Sequence, residues 1–326
     1  MKTSQTSSAC SNQENLLSHE QIKFVEAALR THTSNKIERN GSGTAIVWFR
    51  NDLRILDNEA LYRAWQSSQA VLPVYCIDPR LFGTTHYFGF PKTGELRAQF
   101  LLESLADLKR NLLKRGSNLL IKYGKPEEVL PAIAQSFGAH TVYAQKETCN
   151  EEVMVEKNVM KGLEEITLSS GGSTSLKANG PMLQLVWGST MYHLADLPFK
   201  MEHIPDVYTQ FRKAVESKCN VRPFYRLPAL LGPLPKNGMN EIDEWGDIPM
   251  LGQLGWRTKD RSSFGVMRFI GGERAALARL HEYIWEKDRL RVYKETRNGM
   301  LGPDYSTKFS PWLAFGSISP RFIHEE

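Results

Sequence analysis

The sequence predicts an α/β protein: a doubly wound, parallel-sheet N-terminal domain over about residues 44–190, a long connector over 191–267, and the beginning of an all-helical domain over 268–326. Three observations carry this. From Thr44 short β-rich runs alternate with helical stretches, and strands separated by helices run parallel because the crossover returns the chain to the same sheet edge. Between 190 and 267 periodic runs are scarce and prolines recur, at Pro198, Pro205, Pro223, Pro228, Pro233 and Pro235. From Gly272 Leu277, Leu280 and Ile284 fall into helical register.

The elements follow in order. Residues 45–49 form the first strand and 58–66 a helix; 71–75 form the second strand. A long helix over 95–114 places Leu101, Leu105, Leu108 and Leu112 on one face, with Gly116 just beyond its end as a C-terminal cap. Residues 119–123 give a third strand, 126–137 a helix with Pro126 in its first turn, and 141–144 a fourth strand. A helix over 151–163 and a strand over 183–187 complete the domain. The Ser- and Gly-rich segment 167–180 reads as an exposed loop. Residues 1–43 form an N-terminal arm. Its first 13 residues are rich in Ser and Thr and lack acids, a partial version of an organelle transit peptide that suits a frayed terminus as well.

Composition narrows the function classes. Among 326 residues, 41 basic and 36 acidic side chains leave a formal charge of +5, which permits nucleic-acid binding without requiring it. Cys10, Cys76, Cys149 and Cys219 are widely spaced, so neither a zinc site nor a disulfide framework is expected. No uncharged apolar run approaches the roughly 18 to 20 residues that cross a bilayer, so no membrane partner is expected.

Four segments carry candidate chemistry. The loop Arg50-Asn51-Asp52-Leu53-Arg54 follows the first strand, at the sheet edge where open parallel sheets bind ligands; the alternative is an ion-paired turn with Asp57 as helix cap. Lys92, Thr93 and Gly94 precede the long helix, but the Walker pattern is absent. Glu147 follows the fourth strand at the same edge, where a carboxylate can accept hydrogen bonds from a pterin-like ring. Last comes Asp304-Tyr-Ser-Thr-Lys-Phe-Ser310 followed by Pro311. Ser310 reads as a cap and Pro311 as the first helical residue, a device repeated at Ser319 and Pro320. The hydroxyls of Ser306, Thr307 and Ser310 and the ammonium of Lys308 then gather at a helix start suited to a pyrophosphate, the alternative being a well-capped helix beside a solvated lysine.

Taken in order, Trp48-Phe-Arg-Asn-Asp-Leu-Arg54 with Asp57-Asn-Glu-Ala-Leu61, Asp78-Pro-Arg80, and Phe90-Pro-Lys-Thr-Gly94 with Arg97-Ala-Gln-Phe-Leu101 resemble the photolyase/cryptochrome superfamily. Trp187 to Tyr192, Pro205 to Lys213, and Tyr293 to Pro320 are similar to its cryptochrome DASH branch, plant type. The resemblance implies an antenna domain over 44–190 and a helical domain that holds FAD. It implies 5,10-methenyltetrahydrofolate as light harvester, with Glu147 matching its pterin-binding carboxylate. Tyr293, Ser306, Thr307, Lys308, Phe309 and Ser310 match FAD contacts, and Arg297 matches a position that touches DNA phosphate. The implied chemistry is light-driven electron transfer from FAD into a cyclobutane pyrimidine dimer in single-stranded DNA, or photoreception, by a monomer without metal. Chloroplast or mitochondrion is the implied location, with cytoplasm or nucleus as the alternative.

The sequence stops at Phe322-Ile-His-Glu-Glu326, before the family's flavin domain is expected to end. Two readings stand: part of a competent flavoprotein, or a truncated folate- or protein-binding module unable to hold FAD. Trp285, Trp312, Leu313 and Phe315 are expected to seek packing partners this sequence lacks, leaving an apolar face.

Overall fold

The computed structural model describes residues 17–166, 180–236, 245–256 and 265–326. The expected transit-like residues 1–13 and nearly all of the Ser- and Gly-rich loop lie outside the described residues. The helices are α1 (His19–Thr31), α2 (Glu59–Ser67), α3 (Glu95–Leu113), α4 (Pro126–Phe137), α5 (Asn150–Glu164), α6 (Tyr208–Lys218), α7 (Glu273–His281), α8 (Tyr293–Thr296), α9 (Ser310–Ala314) and α10 (Pro320–Glu325). The strands are β1 (Thr33–Ser34), β2 (Thr44–Phe49), β3 (Ala70–Ile77), β4 (Leu120–Tyr123), β5 (Ala139–Gln145), β6 (Met182–Val186) and β7 (Leu227–Pro228).

Five strands form one parallel sheet in the order β4-β3-β2-β5-β6. The chain winds outward from β2 through β3 and β4, then returns to the other side of β2. The resulting switch point, between β2 and β5, is where a doubly wound sheet opens a crevice at the carboxyl ends of its strands. Alternation along each strand builds two cores. Ala45, Val47 and Phe49 join Val71 and Tyr75 under α2 and α3; Ile46 and Trp48 join Leu72 and Val74 under α4 and α5. Both faces of β2 are covered, which is why its sequence is a continuous apolar run.

The first core extends into the helical segment, taking in Leu277, Leu280, Trp312, Phe315 and Phe322. This corrects the expectation of an unpartnered face for two of its four residues. Trp312 is 2% exposed, packs against Phe100 and Phe269, and donates its indole N–H to Ile270 O at 2.9 Å. Phe315 stacks on Phe100 at 5.4 Å. Trp285 and Leu313 remain exposed, at 57% and 40%.

Two glycines let the segments approach. A side chain at Gly316, which has φ of +61°, would fall 2.0 Å from Asn51 O; one at Gly272, φ +109°, would fall 2.5 Å from Asp107 Cβ. Polar contacts then seal the seam. Leu53 N donates to Phe315 O, Arg54 donates to Gly316 O at 2.9 Å, and the Glu273 carboxylate accepts from the N–H groups of Ile55 and Leu56. The buried Asp57 and Arg321 pair at 2.7 Å.

The sequence places Asp57 as the cap of α2, but Asn58 performs that task, accepting from Leu61 N. Asp57 instead occupies a left-handed turn, φ 48°, with its carboxylate turned to Arg321, Ser319 and Tyr225 N. Ser310 is not a cap either: it lies inside α9, whose N-cap Phe309 has αR geometry and no side-chain bond. Ser319 does cap α10, accepting from Arg321 N and Phe322 N. Two helices appear where no periodicity was evident. In the N-terminal arm, α1 begins at a reciprocal Ser18/Gln21 capping box and packs on α7; within the connector, α6 forms and β7 pairs with β1.

Candidate functional site

The switch-point crevice is lined by the loops after β2 and β5. Arg50 reaches across to Glu156 on α5, at 2.5 Å, and lies over the Trp48 ring. Glu156 also accepts from Lys146 Nζ and from Glu147 N. Burial pushes its carboxyl up, but these hydrogen bonds together hold it below the usual carboxylate range. Glu147 is half-buried beside it, and Asn51 Nδ2 donates to its Oε1 at 3.2 Å. For Glu147 burial dominates and raises the pKa, with the Arg50 charge and the Asn51 amide opposing. Gln145 adds a second side-chain hydrogen bond, and a further N–H donor would favour the charged form.

The second constellation lies in the helical segment. Helix α7 runs into a π-turn at Glu282–Glu286, and its buried Arg279 organises the loop that follows. Arg279 donates to Thr307 O and Pro303 O, at 3.3 and 3.0 Å, and pairs with Asp304 and Glu282. Lys287 bridges the same two carboxylates. So tethered, the loop holds Lys308 in the left-handed region, φ 61°, followed by Phe309 in αR geometry, φ −74° and ψ −12°. A left-to-right alternation of this kind gathers successive main-chain N–H groups into an anion-binding concavity. The N–H groups of Lys308, Phe309 and Ser310 and the hydroxyls of Ser306, Thr307 and Ser310 donate to no acceptor among the described residues. The Lys308 ammonium lies over the Tyr305 ring at 3.4 Å, with no carboxylate in ion-pair range among the described residues. The Phe309 side chain is buried edge-on against Tyr283, so it anchors the loop and only its backbone faces outward.

Tyr293 and Arg297 sit at the two ends of the short α8, where Arg297 N donates to Tyr293 O. Gly299 turns that helix back, close enough that a side chain there would meet Tyr305 Cβ at 3.1 Å. The structure thus brings the Tyr293 helix alongside the Ser306–Ser310 loop, while Glu147 lies apart at the sheet edge. Asn51 links the two regions, with its amide on Glu147 and its carbonyl under Gly316. Sequence reasoning missed Arg279 and Glu273. Only their place in the α7 apolar register marked them, since apart from Glu282 their partners lie 24 to 218 residues away. Lys92 and Thr93, weighed as an anion site, are otherwise engaged: Lys92 pairs with Glu151 and Thr93 donates to Leu81 O.

Residues 45–231 match the DNA photolyase family. The chain belongs to that family. This photolyase-family chain is 63% identical over 304 residues to the cryptochrome DASH, chloroplastic/mitochondrial, of Oryza sativa subsp. japonica, covering 92% of itself and 52% of that protein. It is 58% identical to the Solanum lycopersicum protein of the same name, covering 99% of itself and 56% of the relative. A solved Synechocystis cryptochrome superposes with a TM-score of 0.78 at 43% identity, over 88% of the photolyase-family chain and 56% of the cryptochrome. The chain spans about half the length of the curated relatives it matches.

Proposed function

We propose that the Ser306–Ser310 loop holds the diphosphate of FAD and that Glu147 receives the pterin of a folate antenna, in a blue-light-dependent flavoprotein of the cryptochrome DASH type. The observation that carries this is the left-handed Lys308. Three main-chain N–H groups, three hydroxyls and an ammonium without acceptors among the described residues belong to one short loop whose own carboxylate, Asp304, is already paired with Arg279 and Lys287. An anion of two charges fits that donor set. Helix α9 has five residues, so its dipole adds little beside the direct donors. Tyr293, on the adjoining α8, would flank the adenosine side, and Phe309 contributes its backbone.

When bound and reduced, FAD supplies a photoexcited electron for splitting a cyclobutane pyrimidine dimer. The chain's own residues bind and orient: the nest positions the diphosphate, and the exposed Arg297 is placed to meet a DNA phosphate. Single-stranded DNA is the proposed substrate because a dimer there is reached at small unpairing cost. Glu147, its pKa raised by burial, orients 5,10-methenyltetrahydrofolate through the pterin's N–H groups. Chloroplast and mitochondrion are the proposed location, from the names of the relatives.

A second reading, a folate-binding module without flavin, has one observation in its favour. Glu147 is half-buried between the loops after β2 and β5, whereas Ser310 and Leu313 of the diphosphate loop and α9 are exposed. The test is light-dependent repair of a pyrimidine dimer in single-stranded DNA by a chain extended to the relatives' length. Repair lost in Lys308→Ala together with flavin supports the proposal; folate uptake without flavin or repair supports the module.

A further inference from the structure

A cavity of about 450 Å3 lies between α1, the C-terminal end of α3, the start of α7 and Ile55 of the loop after β2. Its size is in the range of small-molecule sites. Four of its lining residues are cations, Arg30, Lys114, Arg115 and Arg274, against the single carboxylate of Glu26. Lys114 pairs with Glu26 at 3.2 Å, and the three guanidinium groups make no ion pair with a carboxylate among the described residues.

Arg274 carries the argument. It is 4% exposed and lines the cavity, yet its guanidinium makes no hydrogen bond or ion pair among the described residues; Asp107 accepts its main-chain N–H at 3.0 Å and attracts its charge only from beyond ion-pair range. A guanidinium so far from water normally has its charge matched. Arg115 is held by neutral oxygens alone: the carbonyls of Pro228, Ala229 and Leu29 and the Thr33 hydroxyl. Burial lowers its pKa, with Glu273 opposing from a distance. Arg30 is exposed and makes no ion pair among the described residues. Glu273 and Asn111 are committed to each other and to the main chain of Ile55 and Leu56, and do not supply the missing charge. Leu29, Ile55 and Ala229 supply the apolar part of the lining.

We propose that this cavity binds a phosphorylated small molecule of about mononucleotide size, its phosphate among Arg30, Arg115 and Arg274 and its organic part against the apolar part of the lining. The site is separate from the diphosphate loop and does not depend on that assignment.

Calorimetric titration of the 326-residue chain at low salt, with adenosine 5′-monophosphate, inorganic phosphate and adenosine as probes, tests this. The monophosphate is expected to bind most tightly, inorganic phosphate more weakly, and adenosine not measurably. Arg274→Met and Arg30→Gln should each weaken the monophosphate by about tenfold or more. Lys308→Ala, which removes any uptake at the diphosphate loop, should leave a monophosphate site that Arg274→Met still weakens. Arg30 is exposed, so its variant folds and carries the test if Arg274→Met does not. The proposal is overturned by no binding at millimolar monophosphate, by adenosine binding equally well, or by loss through Lys308→Ala alone. It is equally overturned if a chain extended to the relatives' length no longer binds, since the cations would then seat the protein's own carboxylates.

Discussion

Glu273 shows how a single residue joins the two halves and at what cost. Burial pushes its carboxyl up to about 7, against the N–H groups of Leu56 and Ile55 that favour the charged form, with Asp107 as a nearby like charge. A carboxyl whose folded pKa lies above its unfolded value of roughly 4.3 stabilises the fold fully below that value. That stability is lost as pH rises through about 7. The unfolding free energy should therefore fall between pH 5 and 7.5 by up to about 3 kcal/mol. In Glu273→Gln the slope should flatten, although the variant is less stable at pH 5 because one main-chain N–H loses its acceptor; denaturant titrations across this range check it. Glu147, half-buried at the sheet edge, carries instead a proposed ligand role. Glu147→Gln should weaken 5,10-methenyltetrahydrofolate by about tenfold or more, measured by the folate's near-ultraviolet absorbance, with little change in thermal stability.

At the scale of elements, what was legible in the sequence divides by range. All five sheet strands and the four helices α2 to α5 fall within a few residues of their expected bounds, because local periodicity and turn residues encode them. Asp57 shows where that stops. Its position before a helix is that of a cap, yet its partner Arg321 lies 264 residues away, a contact that no local pattern announces. Lys308 is similar: its left-handed geometry is imposed by Arg279, and a non-glycine sequence gives no sign of it. The charged loop after β2, read either as a ligand site or as a turn, is mostly a docking device. Its Leu53, Arg54 and Asp57 hold α9 and α10, while Arg50 and Asn51 frame Glu147. Arg321→Met, which leaves the Asp57 carboxylate buried and unpaired, should cost about 3–5 kcal/mol. Trp312→Ala should cost a comparable amount, about 3–5 kcal/mol, by opening a cavity against Phe100 and Phe269. Both are read from chemical denaturation. A chain ending near residue 265 should be less soluble than the 326-residue chain, since it uncovers Phe100 and the Leu53 loop; improved solubility would show that the shared core is not cohesive.

Across the whole molecule, one core lies wholly inside the α/β domain and the other is shared with the helical segment. That shared core brings Asn51, which donates to Glu147, against Gly316 of the helical segment. The most direct measurement is the flavin-to-protein ratio, from visible absorbance, of a chain extended to the relatives' length, with and without Lys308→Ala. A ratio near one that drops on substitution, with FAD affinity weakened by about tenfold or more, is the predicted result. A colourless extended chain, or one whose flavin content ignores Lys308, would contradict the account.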